Sequence, residues 1–380
     1  MERIITQLRP DWPELVKEDG LLWHSASDET YWNEGVCYSF TAEEIATLEQ
    51  ASSEVYELLL RAGDAILRNK TWMDWFGIPE QVRPLIQKSW DEEPPALNYG
   101  RFDWGFNEEG IPKLFEFNCD TPTSLLEASV IQWKWKEQVY PERDQWNSIH
   151  EKLVEKWKGL SPHLDLNEPI YFTGSIMEKS GEEVITLAYL RDTATQAGFK
   201  TAAVALDDIG VDRHDQFIDL SDRPIRQAFK LYPWEDMVTE SYRDKLDKSK
   251  TMWMEPIWKM LWSNKAILAV LYALEPDCPW LLGASIAEPY TMKNVVKKPI
   301  LGREGDNVTI FKGGEKITAT GGEYGSHGYV YQDLMNLQNC DGNYPVLGTW
   351  MIDGEPAGMG IREDGLITGN LARFVPHIIS

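Results

Sequence analysis

Apolar positions along the chain change from helical spacing to alternation, and this change separates helical regions from β regions. Residues 42–69 carry apolar side chains at helical intervals behind Thr41 and Glu44, which stand in capping-box spacing, so a long helix is predicted there. A second helix is predicted after Pro122. Residues 168–206 read as strand, helix and strand, an order that predicts a small α/β unit with parallel pairing.

The last third of the chain reads as short β segments separated by glycine, and an Asp353-Gly354 pair gives a hairpin signal between two of them. The predicted fold class is therefore α+β with an α/β subdomain. We expect a single unit over residues 1–380 with three parts. These are a mainly helical part over about 1–95, the α/β subdomain over about 165–235, and a main β part formed by about 95–125 and 250–380.

Residues 99–118 predict a β-hairpin whose two faces differ in character. Both arms alternate, and a turn-forming NEEG stretch separates them. With a two-residue loop, Asp103 faces Glu116. In the same register, Arg101 faces Asn118. A four-residue loop moves the register by two and preserves the faces, because side chains alternate with period two. The expected core side carries the aromatic residues Phe102, Trp104, Phe106, Phe115 and Phe117.

The polar face of this hairpin has two interpretations. Asp103 and Glu116 would repel each other across the strands unless a positive group lay between them. Oxygen ligands from Asp, Glu and Asn suit Mg²⁺, which often shares its site with phosphates, so the face could be a metal platform. A solvated face on a half-exposed hairpin is the alternative, and the pattern alone leaves both open.

Lysines and glycines elsewhere in the chain could complete an anion site. Lys265 precedes an apolar helix candidate, a position that favours anions. Of the neighbouring Lys297 and Lys298, alternation along a strand turns one inward. Two glycine-rich loops, at 302–305 and 321–328, are candidate mobile lids. The sequence holds no G-x-x-x-x-G-K-[ST] motif, which excludes a P-loop. It has no H-E-x-x-H motif, so zinc chemistry has no support, and no G-x-G-x-x-G motif follows a strand, so a dinucleotide-binding fold has none either.

Composition and charge limit the binding partners and the cellular location that we expect for the protein. The 380-residue chain is 43% hydrophobic, enough for a large core, and its formal net charge of −24 disfavours nucleic acid as a partner. The best apolar helix candidate, residues 265–274, is too short to span a bilayer, so no membrane partner is expected. The N-terminal stretch lacks the apolar region of a signal peptide, and the four cysteines show no C-x-x-C spacing, so we expect a cytoplasmic protein.

Six blocks along the chain carry a family resemblance. They are, in order, YGRFDW, LFEFNCDTPTSLLEAS, SNKAIL, VVKKPILGREG, YVYQ and GMGIRED. The order and spacing of these blocks resemble those of the synthetase domain of the glutathionylspermidine synthase family, and the resemblance extends from about residue 10 to the C-terminus. It is strongest to the branch of short, stand-alone acid–amine ligases. The resemblance implies an ATP-grasp-like fold, with the main β part as its catalytic unit and the α/β subdomain as a pre-ATP-grasp unit.

The resemblance also implies an activity and a set of site residues. The family uses ATP and two Mg²⁺ ions to join a carboxylate, expected on a small molecule or peptide, to a polyamine-like amine through an acyl phosphate. Arg101 is implied to act at the transition state, and the implied metal ligands are Asp103, Glu116 and Asn118. The implied ATP-binding residues are Arg101, Phe102, Asp103, Lys265, Lys298, Gly305, Gln332, Arg362, Leu366, Ile367 and Thr368. The implied substrate-binding residues are Thr121, Glu182, Glu183 and Asp236.

Two substrate positions depart from the family pattern, because Thr121 stands where the family has serine and Asp236 where it has threonine. The amidase domain of bifunctional members has no counterpart in this sequence, so hydrolysis of the product is not expected. Two other functions stay open: a nucleotide-binding homologue that no longer reacts, and a glycoside hydrolase that uses the paired carboxylates. Directly facing cross-strand residues leave little room for a sugar ring between their carboxyl groups, which weighs against the hydrolase.

Overall fold

The computed structural model describes residues 1–26, 29–175, 181–287 and 293–380 of the chain. The helices are α1 (Trp12–Glu18), α2 (Ala42–Arg68), α3 (Lys70–Trp75), α4 (Arg83–Glu92), α5 (Gln132–Val139), α6 (Ile149–Leu160), α7 (Glu182–Gln196), α8 (Trp234–Met237) and α9 (Ile267–Leu274). A π-helical turn at Glu127–Ile131 leads into α5, and 3₁₀ turns lie at Leu206–Asp208, Arg243–Lys245 and Ile257–Leu261. The strands are β1 (Glu2–Ile5), β2 (Ser25–Ala26), β3 (Glu29–Thr30), β4 (Val36–Phe40), β5 (Tyr99–Phe106), β6 (Pro112–Asn118), β7 (Ile170–Gly174), β8 (Thr201–Ala205), β9 (Gly210–Val211), β10 (Phe217–Ile218), β11 (Gln227–Leu231), β12 (Met252–Met254), β13 (Ala284–Ser285), β14 (Val295–Pro299), β15 (Thr309–Lys312), β16 (Glu315–Ala319), β17 (Tyr329–Asp333), β18 (Tyr344–Ile352), β19 (Glu355–Asp364), β20 (Arg373–Val375) and β21 (His377–Ile379).

The main sheet is antiparallel, has five strands in the order β20-β19-β18-β5-β6, and contains the predicted hairpin as β5 and β6. Its strands β18 and β19 meet in a tight turn at Asp353 and Gly354, where both residues have positive φ, as the hairpin signal predicts. The long helix α2 begins with the predicted capping box of Thr41 and Glu44 and packs its buried side against this sheet.

A second antiparallel sheet has its strands in the order β13-β17-β14-β15-β16. It is built from the glycine-rich part of the chain and confirms the short β segments predicted there. Helix α9 packs against β13 and β17. Side chains of Lys298 on β14 and Gln332 on β17 donate to backbone carbonyls of β6, so this sheet lies against the hairpin of the main sheet.

The predicted α/β unit is confirmed in residues 168–206. Strands β7 and β8 are parallel neighbours in a four-stranded sheet with the order β12-β11-β7-β8. All its strands run parallel, and such neighbours need a crossover connection, which α7 provides between β7 and β8. A Cβ at Gly174, the last residue of β7, would lie 3.6 Å from Leu187 Cδ2, so the second turn of α7 lies near the carboxyl end of β7.

A three-stranded sheet brings the two ends of the chain together. Strand β4 pairs antiparallel with β1 and parallel with β21. Residues 1–95 therefore combine α1–α4 with strands that pair with the last residues of the chain, and the division into parts at about residues 95, 165 and 235 stays a prediction. Within the ranges that the structure describes, no helix has both the length and the apolar composition that a membrane span needs.

Candidate active site

The polar face of the β5–β6 hairpin forms one wall of a cleft that the second sheet also lines. As predicted, Asp103 pairs with Glu116, and Arg101 pairs with Asn118, across the two strands. The cleft brings together most of the residues predicted from the sequence. They are Arg101, Asp103, Glu116, Asn118, Thr121, Glu182, Glu183, Lys265, Lys298, Gly305, Gln332, Arg362, Leu366, Ile367 and Thr368.

Nearer the hairpin loop the register changes at a β-bulge, and the prediction for Phe115 is wrong. Phe106 pairs with Pro112, so the loop is longer than either predicted length. Trp104 then pairs with Leu114, which leaves Phe115 as the extra residue of β6. The bulge turns Phe115 toward the cleft, and Leu114 is buried in the core in its place. A longer loop and a one-residue bulge thus offset each other and restore the predicted pairs.

Two predicted residues are absent from the lining of this cleft among the described residues. Phe102 points into the core, where it stacks on Phe117 with ring centroids 4.1 Å apart, so only its backbone lies on the site strand. Asp236 follows Glu235, which lines the cleft, but does not line it itself. Burial, reinforced by the charge of Glu235, raises the pKa of Asp236 above its ordinary value.

Two arginines hold the carboxylate of Asp103, which is 3% exposed. Arg101 donates from Nε to Oδ1 over 2.6 Å and from Nη2 to Oδ2 over 3.0 Å. Arg362 Nη2 donates to Oδ2 over 3.1 Å. Gly348 makes room for this arrangement, because a Cβ there would lie 2.8 Å from Arg101 Cδ. Burial opposes the charge of Arg101, but Asp103 and Glu116 outweigh burial and raise the pKa of the guanidinium, which stays charged.

A lysine and an amide hold the carboxylate of Glu116. Lys265 Nζ lies 2.8 Å from Glu116 Oε2, and Asn118 Nδ2 donates to Glu116 Oε1 over 2.9 Å. The same amide donates to Asp103 Oδ2 over 3.3 Å, so Asn118 bridges the two carboxylates. Burial alone would raise the pKa of Glu116, but Lys265 and Asn118 outweigh it and hold that pKa well below its usual range. Lys265 also donates to the carbonyl of Gly302 over 2.6 Å, which ties the hairpin to the glycine loop.

Lys298 reaches the hairpin from the second sheet. Its Nζ donates to Gln332 Oε1 over 2.7 Å and to the carbonyl of Phe115 over 3.2 Å. Burial lowers the pKa of Lys298 to about 8. Lys297 faces the other way and lies 4.0 Å from the ring centroid of Tyr329. Alternation along β14 therefore turns one of the two lysines into the cleft, as predicted.

The glycine loop 302–305 meets the segment 366–368 at the edge of the cleft. Gly305 has a φ of +71°, and a Cβ at this position would lie 2.5 Å from the carbonyl oxygen of Thr368. Only glycine fits this conformation and this close backbone approach. The predicted role of the glycine loops as mobile lids stays a prediction.

The segment that follows β6 connects the hairpin to the predicted substrate residues. Thr121 lines the cleft, and the carbonyl of Thr123 accepts a hydrogen bond from Arg101 Nη1 over 2.7 Å. Ser124 Oγ donates to Glu182 Oε1 over 3.3 Å. The same short segment thus contacts both Arg101 and the acid at the start of α7.

Sequence reasoning missed two ion pairs beside the site. Arg303 Nη2 lies 3.2 Å from Glu235 Oε1, and both residues line the cleft. Lys230 Nζ lies 2.6 Å from Asp120 Oδ1, and both side chains are buried. A signal for the second pair exists in the sequence, because Lys230 interrupts the apolar strand β11 as Glu116 interrupts β6.

The predicted metal ligands lie together on the polar face of the hairpin. Within the described residues, no group of three or more His, Cys, Asp or Glu side chains could hold a metal ion. The predicted set is two carboxylates and an amide, from Asp103, Glu116 and Asn118, and the amide contacts both carboxylates. Mg²⁺ is commonly held by one or two carboxylates and completes its shell with water and phosphate oxygens. The donor set therefore fits Mg²⁺ that is shared with a nucleotide.

Similarity to a known family extends over almost the whole chain. The family model described as glutathionylspermidine synthase preATP-grasp matches residues 3–380. The chain belongs to the glutathionylspermidine synthase family. The resemblance inferred from the six sequence blocks is thereby confirmed.

The proteins that are similar to this chain differ in length, so the match covers nearly all of one and about half of others. A "Putative acid–amine ligase" of Haemophilus influenzae is 38% identical, and the match covers 97% of this chain and 97% of that protein. Trypanothione synthetase of Crithidia fasciculata is 27% identical over 83% of this chain and 52% of that protein. The bifunctional glutathionylspermidine synthetase/amidase of Escherichia coli is 27% identical over 86% of this chain and 56% of that protein. The chain thus spans about half the length of the two longer relatives.

A solved structure shares the fold. A glutathione synthetase-like effector from Globodera pallida matches with a TM-score of 0.59 over 99% of this chain and 100% of that chain, at 10% sequence identity. The chain therefore has a glutathione synthetase-like mixed α/β fold. Family and relatives together point to a ligase that forms amide bonds.

Proposed function

We propose that the protein is an ATP- and Mg²⁺-dependent acid–amine ligase with an ATP-grasp-like fold, which forms a carbon–nitrogen bond through an acyl phosphate. One observation carries the proposal: four cationic side chains converge in one cleft on a pair of facing carboxylates. The cations are Arg101, Arg362, Lys265 and Lys298, and the carboxylates are Asp103 and Glu116. Nucleotide phosphates need cations and Mg²⁺ needs carboxylates, so the cleft supplies both.

In the first step, an oxygen of the substrate carboxylate attacks the γ-phosphorus of ATP, the bond from that phosphorus to the ADP oxygen breaks, and an acyl phosphate forms. Lys265 and Lys298 neutralise charge on the phosphate oxygens. Arg101 and Arg362 present planar guanidinium groups that can hold the transferring phosphoryl group through two donors each. Both arginines contact the same carboxylate, so their positions are fixed relative to each other.

Magnesium would be held by Asp103, Glu116 and Asn118, and we propose that two ions bind there. Bound Mg²⁺ supplies further charge neutralisation at the β- and γ-phosphate oxygens. Because Lys265 and Asn118 keep the pKa of Glu116 low, this carboxylate is ionised throughout the neutral pH range. The site therefore offers its negative charge without first losing a proton.

In the second step, the amine attacks the acyl carbon, and phosphate leaves. Glu182 and Glu183 are proposed to bind the ammonium end of this substrate, because both are acids that line the cleft. The acyl phosphate must be kept from water, and the proposed role of the glycine loops is to close over it.

The proposed substrates follow from the names of the relatives. Glutathione and spermidine are the first pair to test, because two relatives are named for trypanothione and glutathionylspermidine. Thr121 and Asp236 depart from the family pattern, so other peptide carboxylates belong in the same screen. A net charge of −24 favours a cationic amine. A cytoplasmic location is part of this proposal.

ADP release tests the proposal. The protein is incubated with ATP, Mg²⁺ and a panel of peptide carboxylates and amines, each alone and in pairs, and products are identified by mass spectrometry. A ligase releases ADP and forms an amide only when both substrates are present. ATP binding without ADP release from any pair of substrates would instead support a nucleotide-binding homologue without catalytic activity. Hydrolysis of sugar substrates that does not depend on ATP would support the glycoside hydrolase.

A further inference from the structure

Glu127 is a buried carboxylate three residues after Ser124, which contacts Glu182 in the cleft, and the proposed ligase steps do not use it. It is 3% exposed and begins the π-helical turn that leads into α5. Such turns are rare and are often found at functional sites. The hydroxyl of Tyr31, which is also buried, donates to Glu127 Oε1 over 2.7 Å.

Glu182 connects Glu127 to the cleft. It lines the cleft at the start of α7, where Ser124 donates to its carboxylate. Burial, followed by the charge of Glu182, raises the pKa of Glu127 to about 7, while Tyr31 and Arg101 act in the opposite direction. Ser124 links the two acids in the structure, because its hydroxyl donates to Glu182 and its carbonyl accepts from the backbone N–H of Ala128, the residue after Glu127, over 3.3 Å. Two carboxylates held in one such cluster repel each other, and a proton or a cation between them relieves that repulsion.

Amide formation from an amine needs a proton acceptor at this place. A polyamine arrives as ammonium, because its amino groups, like that of lysine, have pKa values of about 10. The nitrogen has no free electron pair until a proton leaves, and an acceptor works best when its pKa lies near the working pH. The two carboxylates of the hairpin, Asp103 and Glu116, are already paired with cations.

We propose that Glu127, acting through Glu182, accepts the proton that the amine substrate must lose; this inference rests on the proposed ligase function. The proton passes from the ammonium nitrogen to the Glu182–Glu127 pair, and the freed electron pair forms the bond to the acyl carbon. The bond from that carbon to the phosphate oxygen breaks, and the next proton of the nitrogen leaves with the phosphate. Tyr31 is a positioning residue that orients Glu127. Among the described residues, the other charged groups known to act on this cluster include Arg101, on Glu127, and Arg362, on Tyr31.

The test compares two nucleophiles in the full-length Glu127→Gln protein. Spermidine must lose a proton before it attacks, whereas hydroxylamine is uncharged at neutral pH and needs no acceptor. With ATP, Mg²⁺ and a panel of peptide carboxylates that includes glutathione, the variant is expected to lose about a hundredfold or more in kcat with spermidine and to keep its hydroxamate rate within about threefold. The hydroxamate rate also shows that the variant is folded.

Tyr31→Phe provides a second measurement that keeps the carboxylate. Glu127 must be unprotonated to accept a proton, so the spermidine rate rises with pH through its pKa of about 7. The hydrogen bond from Tyr31 lowers this pKa, so its loss is expected to move the rising limb to higher pH by about one pH unit and to leave the hydroxylamine profile unchanged. Glu151→Gln, an exposed charge removal on α6, is the control and should not alter the ratio of the two rates.

The outcomes separate the inference from the function on which it rests. Equal losses with both nucleophiles in Glu127→Gln, or an unmoved spermidine profile in Tyr31→Phe, would overturn the inference and leave the ligase function standing. If the unaltered protein releases no ADP with either nucleophile, the proposed function fails and the inference fails with it.

Discussion

Replacing Glu116 by glutamine tests the metal platform most directly. The substitution keeps the size of the side chain and removes its negative charge. In the structure this charge lies 2.8 Å from Lys265 Nζ and shares the amide of Asn118 with Asp103. Without it, one carboxylate instead of two remains on the hairpin to hold Mg²⁺.

The expected magnitude follows from the charge that phosphoryl transfer develops. A bound metal ion supplies several kcal/mol of transition-state stabilisation, so we expect a cost of about 4 kcal/mol, or a roughly thousandfold fall in turnover. The fold should survive, because glutamine has nearly the size of glutamate, the side chain of Glu116 is 24% exposed, and a hydrogen bond to a charged group contributes only about 1.5–3 kcal/mol. Lys265 also keeps its hydrogen bond to the carbonyl of Gly302.

The assay is ADP release at saturating ATP and Mg²⁺, combined with the midpoint of thermal unfolding. Glu109→Gln, at the exposed tip of the same hairpin, is the matched control and should leave turnover unchanged. Unchanged turnover in Glu116→Gln would refute the metal role. A fall in the unfolding midpoint of about 10 °C or more would instead make Glu116 a structural residue.

Three further changes probe other parts of the site. Lys298, with a pKa of about 8, is charged below that pH and loses its charge above it. Calorimetry should therefore show ATP affinity falling above that pH by up to about tenfold per pH unit, and Lys298→Arg should remove this dependence. Gly305→Ala would place a Cβ 2.5 Å from a backbone carbonyl and should raise the ATP Kd at least about tenfold, whereas Gly313→Ala, also at positive φ but with open space around it, should cost only about 1 kcal/mol of stability. Lys230→Met leaves the buried carboxylate of Asp120 without its cation and should lower the free energy of unfolding in urea by about 3–5 kcal/mol; adding Asp120→Asn should recover part of that loss.

Each of these expectations has a result that contradicts it. An ATP affinity that does not change with pH would place Lys298 away from the phosphates. Equal effects of the two glycine substitutions on ATP binding would make backbone conformation, and not the close contact, the cause. Additive losses in the double variant of Lys230 and Asp120 would show that the two side chains do not stabilise each other.

Local pattern predicted most of the hairpin but not its bulge. Alternation places Asp103 and Glu116 on one face because the period of two is a property of the strand itself. The same alternation predicts Phe115 on the core side, where the structure has Leu114 instead. A bulge depends on the contacts that the strand makes with distant parts of the chain. At this bulge, the carbonyl of Phe115 accepts a hydrogen bond from Lys298, which lies 183 positions later in the sequence. No local pattern contains that contact.

The local sequence pattern also does not predict which distant residues meet in the cleft or which acidic side chains near it are buried. Lys265 and Lys298 could be grouped with the hairpin only through the family resemblance, because each alone looks like an ordinary surface lysine. Glu127 stands in a segment that the sequence predicts to be helical, and its spacing gives no hint of the π-helical turn or of the contact with Tyr31. Its burial results from the packing of this turn against α5, α6 and β19 and from the contact with Tyr31 in the N-terminal region.

The ion pairs of the cleft give a physical reason for ATP and Mg²⁺ to bind together. In the structure, the cations that would take phosphates are paired with the carboxylates that would take metal. A nucleotide that arrived alone would draw Arg101 and Lys265 away and leave Asp103 and Glu116 without a counter-charge, which costs several kcal/mol in a partly buried site. Magnesium that arrives with the nucleotide gives the carboxylates a new cation at the same moment. The hairpin carboxylates and the cations beside them then all stay paired, so the pairing itself makes nucleotide affinity depend on the metal, even in a chain with a net charge of −24.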